Sequence, residues 1–218
     1  MPAYKHKPFP APLDAPRLRG LTQSCAFILA ANWCMQGMRG MDRKELASRL
    51  GLEALAAVLL LGLLPASPLA LLAALVLAHS LSFTLNGQVW VCARYCRWFR
   101  ASPARTTAFL ARIARDLRSR AWLDEAVIIG SRGGGAGLGP RSDIDLRLIT
   151  PPGLLGWLRT SLWLLRWRAL AFWQIVPLDL YAYDRPGSLA RFDQDEPLRI
   201  ILDRKGRLAA AFPGRVVR

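Results

Sequence analysis

Ala126-Val127-Ile128-Ile129-Gly130-Ser131-Arg132, then a run of glycines, then Arg141-Ser142-Asp143-Ile144-Asp145-Leu146-Arg147-Leu148-Ile149: this stretch decides the fold. Ala126 to Ile129 is a short apolar run closed by glycine, the pattern of a buried strand. Residues 131–142 read Ser-Arg-Gly-Gly-Gly-Ala-Gly-Leu-Gly-Pro-Arg-Ser, a glycine-rich loop. From Asp143 to Ile149 polar and apolar residues alternate, which predicts a second strand with one buried face. Strand residues two apart share a face. Asp143 and Asp145 therefore project from one side, and Ile144, Leu146 and Leu148 from the other, toward a core.

Working outward, Ala101-Ser102-Pro103 supplies an N-cap and a first-turn proline. The helix they open runs to Arg120, with Phe109, Leu110, Ile113 and Leu117 at helical spacing and arginines on its other faces. Residues 153–173 predict a helix rich in leucine and tryptophan. Ile175 to Tyr183 and Leu198 to Leu202 predict two further strands. The order helix, strand, strand, helix, strand, strand gives an α/β or α+β class: a small mixed sheet flanked by helices.

Two like charges a few ångströms apart repel unless a cation lies between them. Mg²⁺ takes one or two carboxylates together with substrate phosphates, so Asp143 and Asp145 are candidate metal ligands. Gly130-Ser131, at a strand end, lets backbone N–H groups approach a phosphate. A third acid, Asp179, stands in the apolar run Val176-Pro177-Leu178-Asp179-Leu180-Tyr181, where it is costly without a partner. Its rival Asp184 opens the turn Asp184-Arg185-Pro186-Gly187 instead. If the strand of Asp179 neighbours that of Asp145, three carboxylates converge beside a phosphate-binding turn.

Gly130-Ser131-Arg132, a glycine-rich spacer and Ser142-Asp143-Ile144-Asp145-Leu146 resemble the signature of the nucleotidyltransferase superfamily of DNA polymerase beta, including its minimal members. That signature is glycine-serine, a spacer, acid–apolar–acid, and a later third acid. Ser131 and Asp143 are 12 positions apart, and the likeness covers roughly Arg105 to Asp203. The resemblance implies that Asp143, Asp145 and Asp179 bind two Mg²⁺ ions and carry catalysis, Asp179 helping to deprotonate an attacking hydroxyl. It implies that Gly130, Ser131 and Arg132 hold the phosphates of a nucleoside triphosphate such as ATP. It further implies in-line transfer of a nucleoside monophosphate with pyrophosphate leaving, a two-metal displacement. The Gly133-Gly134-Gly135 run is more flexible than the family's usual spacer.

The rest of the chain is of another kind. Of 218 residues, 53% are apolar and 21% charged, which excludes a disordered chain. There are 30 basic against 15 acidic residues, a formal charge of +15. Such a balance points to phosphate-rich partners or an anionic membrane. From Ala54 to Ala93 no Asp, Glu, Lys or Arg occurs in 40 residues, broken at Pro65-Ala66-Ser67-Pro68. Basic residues and Trp90, Tyr95 and Trp98 flank that run, as at a cytoplasmic membrane face. It predicts a hydrophobic helical hairpin over about 54–93, spanning or re-entrant; the alternative is a buried hairpin of a soluble protein.

Residues 1–20 read as a flexible basic arm, 21–100 as a membrane-associated helical region and 101–218 as the nucleotidyltransferase-like domain. Leu21 to Met38 suits a surface helix. His79 and Asn86-Gly87 suit the membrane exit. The cysteines, 25, 34, 92 and 96, form no zinc pattern and read as small helix residues. The tryptophans of 153–173 suggest that the catalytic half also lies on the bilayer. These readings give the inner, cytoplasmic membrane as location, with the catalytic domain facing the cytoplasm. The expected partners are lipid bilayer, nucleoside triphosphate and a partner protein for acceptor recognition. Nucleic acid is disfavoured, because the arginines flank apolar segments rather than forming an aromatic-basic stripe. A catalytically inactive nucleotide-sensing or scaffold protein of the same fold is the alternative function.

Overall fold

In the computed structural model, residues 7, 10, 13, 15–36, 38–129, 139–192 and 196–217 are described. Among them five strands form one mixed, open sheet: β1 (Glu125–Ile129), β2 (Ile144–Ile149), β3 (Leu178–Tyr183), β4 (Leu198–Asp203) and β5 (Val216–Val217). Their order is β3-β2-β1-β4-β5. β1 runs antiparallel to β2 and β4, while β2 and β3 are parallel, as are β4 and β5. β3 starts later than the expected Ile175. Ile175 sits at a left-handed φ of 54°, unfavourable for a β-branched residue, and Pro177 has no N–H to give a ladder. β1 starts one residue early because Glu125, fully buried, is neutralised by the Arg207 guanidinium.

The helices are α1 (Arg19–Thr22), α2 (Cys25–Met35), α3 (Arg43–Leu61), α4 (Pro68–Leu85), α5 (Gln88–Ala93), α6 (Pro103–Ser119), α7 (Gly153–Trp173) and α8 (Arg207–Ala211). α6 opens as expected: Ser102 Oγ accepts the Arg105 N–H at 3.4 Å, with Pro103 following. α7 is the crossover between the parallel strands β2 and β3. One core contains Ile144, Leu146 and Leu148 of β2, Phe109, Ile113 and Leu117 of α6, and Trp163, Leu164 and Trp167 of α7. The alternation along β2 thus has the face expected of it. The opposite face packs Val127, Ile129, Tyr181 and Tyr183 against Leu189, Leu208 and Phe212.

The expectation that the α7 tryptophans face a membrane is corrected for two of them. Trp163 and Trp167 are buried, and their indole N–H groups donate to Asp116 Oδ2 at 2.6 and 3.1 Å. Asp116 is the only acid of α6, and Arg120 holds its other oxygen at 2.6 Å. Trp157 donates to the Lys44 carbonyl and to Ser48. The exposed part of α7 is Leu154, Leu155, Leu158, Leu162 and Trp173.

α3 and α4 are consecutive helices packed on each other. Their packing inverts the usual order. Ala70, Ala74, Ala78 and Ser82, four apart, are the buried positions of α4 along with Phe83. Leu63, Leu69, Leu72, Leu75 and Leu77 are exposed, as are Leu55, Val58 and Leu59 of α3. α4 is the one helix among the described residues long and apolar enough to cross a membrane, with a mean hydropathy of 1.9 and 28% of that window buried.

His79 is not at a free membrane exit. Its Nδ1 lies 2.7 Å from Glu53 Oε1 across the helix pair, and its Nε2 lies 2.8 Å from the Trp33 carbonyl. The stretch after α4 turns back at Gly87, whose φ of +75° suits glycine. It then buries α5, through Gln88, Val91, Cys92 and Ala93, instead of continuing an apolar arm to residue 93. A buried polar cluster joins this region to the sheet. Glu45 accepts from Arg49 (3.3 Å), from Arg168 and from the backbone N–H of Ala182 at 2.7 Å. The base of α3 therefore satisfies an edge-strand donor of β3 that would otherwise lie open.

Candidate active site

The parallel register sets Asp145 directly beside Asp179, because Ile144 pairs with Leu178 and Leu146 with Leu180. Asp143 precedes β2 by one residue and shares the face of Asp145. In the antiparallel pairing on the other side, Ile128 stands opposite Leu146. The end of β1 therefore arrives next to Asp145. Three carboxylates predicted from separate places in the chain gather on one face at one end of the central strands. Asp184 is not among them: it pairs with Lys44 at 3.2 Å beyond the end of β3. Gly130, Ser131 and Arg132 lie outside the described residues.

Each acid has a different electrostatic situation. Asp179 accepts from Arg147, whose Nη2 stands 2.6 Å from its Oδ2 while Nη1 reaches its main-chain oxygen at 2.5 Å. The same Nη2 is 3.6 Å from Asp145 Oδ1, so one nitrogen spans both carboxylates. Arg147 is buried and lies 4.9 Å from the Tyr181 ring and 5.3 Å from that of Phe192. Burial alone would raise the pKa of Asp179. The Arg147 charge and hydrogen bond outweigh it and hold the carboxyl below its ordinary value.

Asp145 moves the other way. Burial, then the charges of Asp143 and Asp179, push its carboxyl well above the usual range. The two carboxyls, side by side in the parallel register, are thus shifted in opposite directions. Asp143 is buried and ion-paired with Arg94, which follows α5. Its Oδ2 is buried with no hydrogen-bond partner.

A hard divalent cation suits this donor set. It consists of carboxylate oxygens only, one of them orphaned, and burial with the charges of Asp143 and Asp179 raises the Asp145 carboxyl, a cost that a cation would relieve. Among the described residues no group of three or more His, Cys, Asp or Glu side chains stands as a ready metal cage. Asp143 and Asp179 are instead ion-paired with Arg94 and Arg147.

Sequence reasoning missed Arg94, Arg147 and Lys7 as members of this face. Arg147 was legible, since it lies two residues beyond Asp145 and shares its face. Arg94 and Lys7 are brought in by tertiary structure. Lys7 exchanges both main-chain hydrogen bonds with the Gln23 side chain, each at 2.9 Å. Its ammonium sits 5.0 Å from the centre of the Tyr95 ring. Nor did the cysteine spacing reveal that Cys25 and Cys96 form a disulfide, which ties the start of α2 to the turn after α5. Cys92 is buried and free, and burial pushes its thiol up to about 11.

Comparison with protein-family models, curated proteins and solved structures returns no match. The functional reading therefore rests on this geometry and on the sequence signature.

Proposed function

We propose that the chain is a membrane-associated, Mg²⁺-dependent nucleotidyltransferase that moves a nucleoside monophosphate from a nucleoside triphosphate onto a hydroxyl or phosphate acceptor. The fold would be the small mixed sheet of that superfamily. One observation carries the reading: Asp145 pairs in register with Asp179 while Asp143 shares their face beside the end of β1.

Asp143, Asp145 and Asp179 would hold two Mg²⁺ ions, which supply charge neutralisation at the reacting phosphate and at the departing pyrophosphate. Asp145, whose carboxyl is raised, must be ionised to serve as a ligand. Asp179, whose carboxyl Arg147 holds below its ordinary value, would share one ion and help deprotonate the attacking hydroxyl. Arg147 itself keeps the two strands' carboxylates together and stays charged, because Asp179 and Asp145 offset its burial. Gly130, Ser131 and Arg132 would hold the phosphates.

The α3–α4 pair supports attachment to a bilayer, with the catalytic domain on the cytoplasmic side of the inner membrane. Large apolar side chains outside and small ones at the helix contact are the arrangement of helices in lipid. Beyond the Glu53–His79 pair the uncharged part of α4 is roughly eleven residues, about 16 Å. The hydrocarbon core is about 30 Å thick, so a re-entrant hairpin fits better than two crossings. An acceptor drawn from the membrane, or delivered by a partner protein, is consistent with that placement.

The Arg94–Asp143 and Arg147–Asp179 pairs favour a second reading, a catalytically inactive nucleotide-sensing or scaffold domain of the same fold. One assay separates the two: Mg²⁺-dependent pyrophosphate release from each nucleoside triphosphate in detergent, for wild type and Asp143→Asn. The first reading expects release by wild type and a loss of at least about 100-fold in the variant. No release from either protein favours the second, and equal release from both removes the first.

A further inference from the structure

We propose that Lys7, carried by the N-terminal arm, and Arg94 form a binding site for the polyphosphate of the nucleotide. The inference rests on the nucleotidyltransferase reading and deepens it by naming this chain's own phosphate-binding side chains outside the glycine-serine loop. Both cations stand over one ring: the Lys7 ammonium is 5.0 Å and the Arg94 guanidinium 4.7 Å from the centre of Tyr95. Arg94 also donates to the Tyr95 hydroxyl at 2.8 Å.

Two like charges are held at one ring here by built structure. Gln23 clamps the Lys7 backbone through both its amide oxygen and its amide nitrogen. The Cys25–Cys96 disulfide then joins the segment after Gln23 to the segment after Tyr95. In a reducing compartment that pair stands as thiols, and the Gln23 clamp remains.

The anions available to these cations do not match them. Arg94 has Asp143. Among the described residues no carboxylate forms an ion pair with Lys7, although Asp179 and Asp143 both act on its charge. Burial pushes the Lys7 ammonium below its ordinary value, which an incoming anion would reverse.

A divalent cation held by Asp143 would leave Arg94 without that partner, and phosphate oxygens would then be the anions open to it. The guanidinium offers planar, charge-assisted hydrogen bonds and the ammonium a compact charge, both well suited to phosphate oxygens.

The test is calorimetric titration of inorganic tripolyphosphate with Mg²⁺ into the full chain in detergent, comparing wild type, Lys7→Ala, Lys7→Arg and Asp145→Asn. The expected result is a Kd weakened about 10–100-fold in Lys7→Ala, recovery to near the wild-type value in Lys7→Arg, and a steeper salt dependence in wild type than in Lys7→Ala. Unchanged affinity in Lys7→Ala overturns the proposal. Tighter binding in Lys7→Ala overturns it too, and identifies Lys7 as a plug on the acids. If the underlying reading itself fails, wild type binds no Mg²⁺–tripolyphosphate and matches Asp145→Asn, an outcome distinct from a failure at Lys7 alone.

Discussion

Two leucine-rich regions of this molecule treat their leucines in opposite ways. In the sheet domain Leu146 and Leu148 are fully buried, and Leu164 of α7 nearly so. In the α3–α4 pair Leu69 is 75% and Leu72 59% exposed, while Ala74 on the same helix is 0%. Water explains the first region, since burying each large apolar side chain contributes about 1.5–3 kcal/mol. It does not explain the second, where the large side chains face outward and the small ones make the contact. The proposed attachment to a bilayer would account for it: helices in lipid have no hydrophobic drive toward each other, and small residues let them approach. Composition is thus a poor guide to environment, and which residues sit in the contact is a better one.

The largest expected effect breaks the comparison at its lipid side. Replacing Leu69, Leu72 and Leu75 together by glutamate removes three outward apolar side chains and adds charge. Partition into phospholipid vesicles, followed by flotation, falls at least about 10³-fold. Unchanged flotation would mean that the outward leucines do not touch lipid.

Next comes one substitution made in both regions. Leu146→Ala, in the sheet core, costs about 2–5 kcal/mol. Leu72→Ala, on the outward face, stays within about 0.5 kcal/mol in detergent. Denaturation of the two variants side by side measures the contrast, and equal losses would erase it. The reverse change sharpens it. Ala74→Leu, at the helix contact, costs about 1–3 kcal/mol through overpacking.

The smallest effect concerns the acids. The folded pKa of Asp145 is raised by burial and by Asp143 and Asp179. Its contribution to stability is therefore fully present below the unfolded carboxylate value and is lost as pH rises through the raised folded value. Asp145→Asn removes that loss. In chelator-treated protein the variant melts higher than wild type at pH 8, by roughly 2–4 °C for each kcal/mol in a chain of this size. The gap closes as the pH falls. A variant that melts lower at every pH contradicts the assignment of the proton to Asp145.

Much of the sheet domain was legible because its signals are local. The leucine- and tryptophan-rich run 153–173 gave the bounds of α7. β2 follows from strict alternation, which also put Asp143 and Asp145 on one face. The pairing of Asp145 with Asp179 needed only that the two strands be neighbours joined by α7. What was not legible is long-range. Lys7 reaches its place through Gln23, and Cys25 meets Cys96 across 71 positions. Arg94 follows an α5 that local hydropathy reads as the continuation of a membrane arm. Asp116 has no local signal, because its partners, Trp163 and Trp167, lie more than 40 positions away. Alanines four apart in α4 were readable in the sequence, and hydropathy averaging hid them.

The central claim is that Asp143, Asp145 and Asp179 together take a divalent cation. Calorimetric titration of Mn²⁺ into the full chain in detergent, repeated in two buffers of different ionisation enthalpy, tests it directly. The account predicts a saturable heat in wild type, with proton release as Asp145 ionises, and its loss in Asp145→Asn. A wild-type protein that takes up no Mn²⁺, or that binds it equally well after Asp145→Asn, would contradict the account.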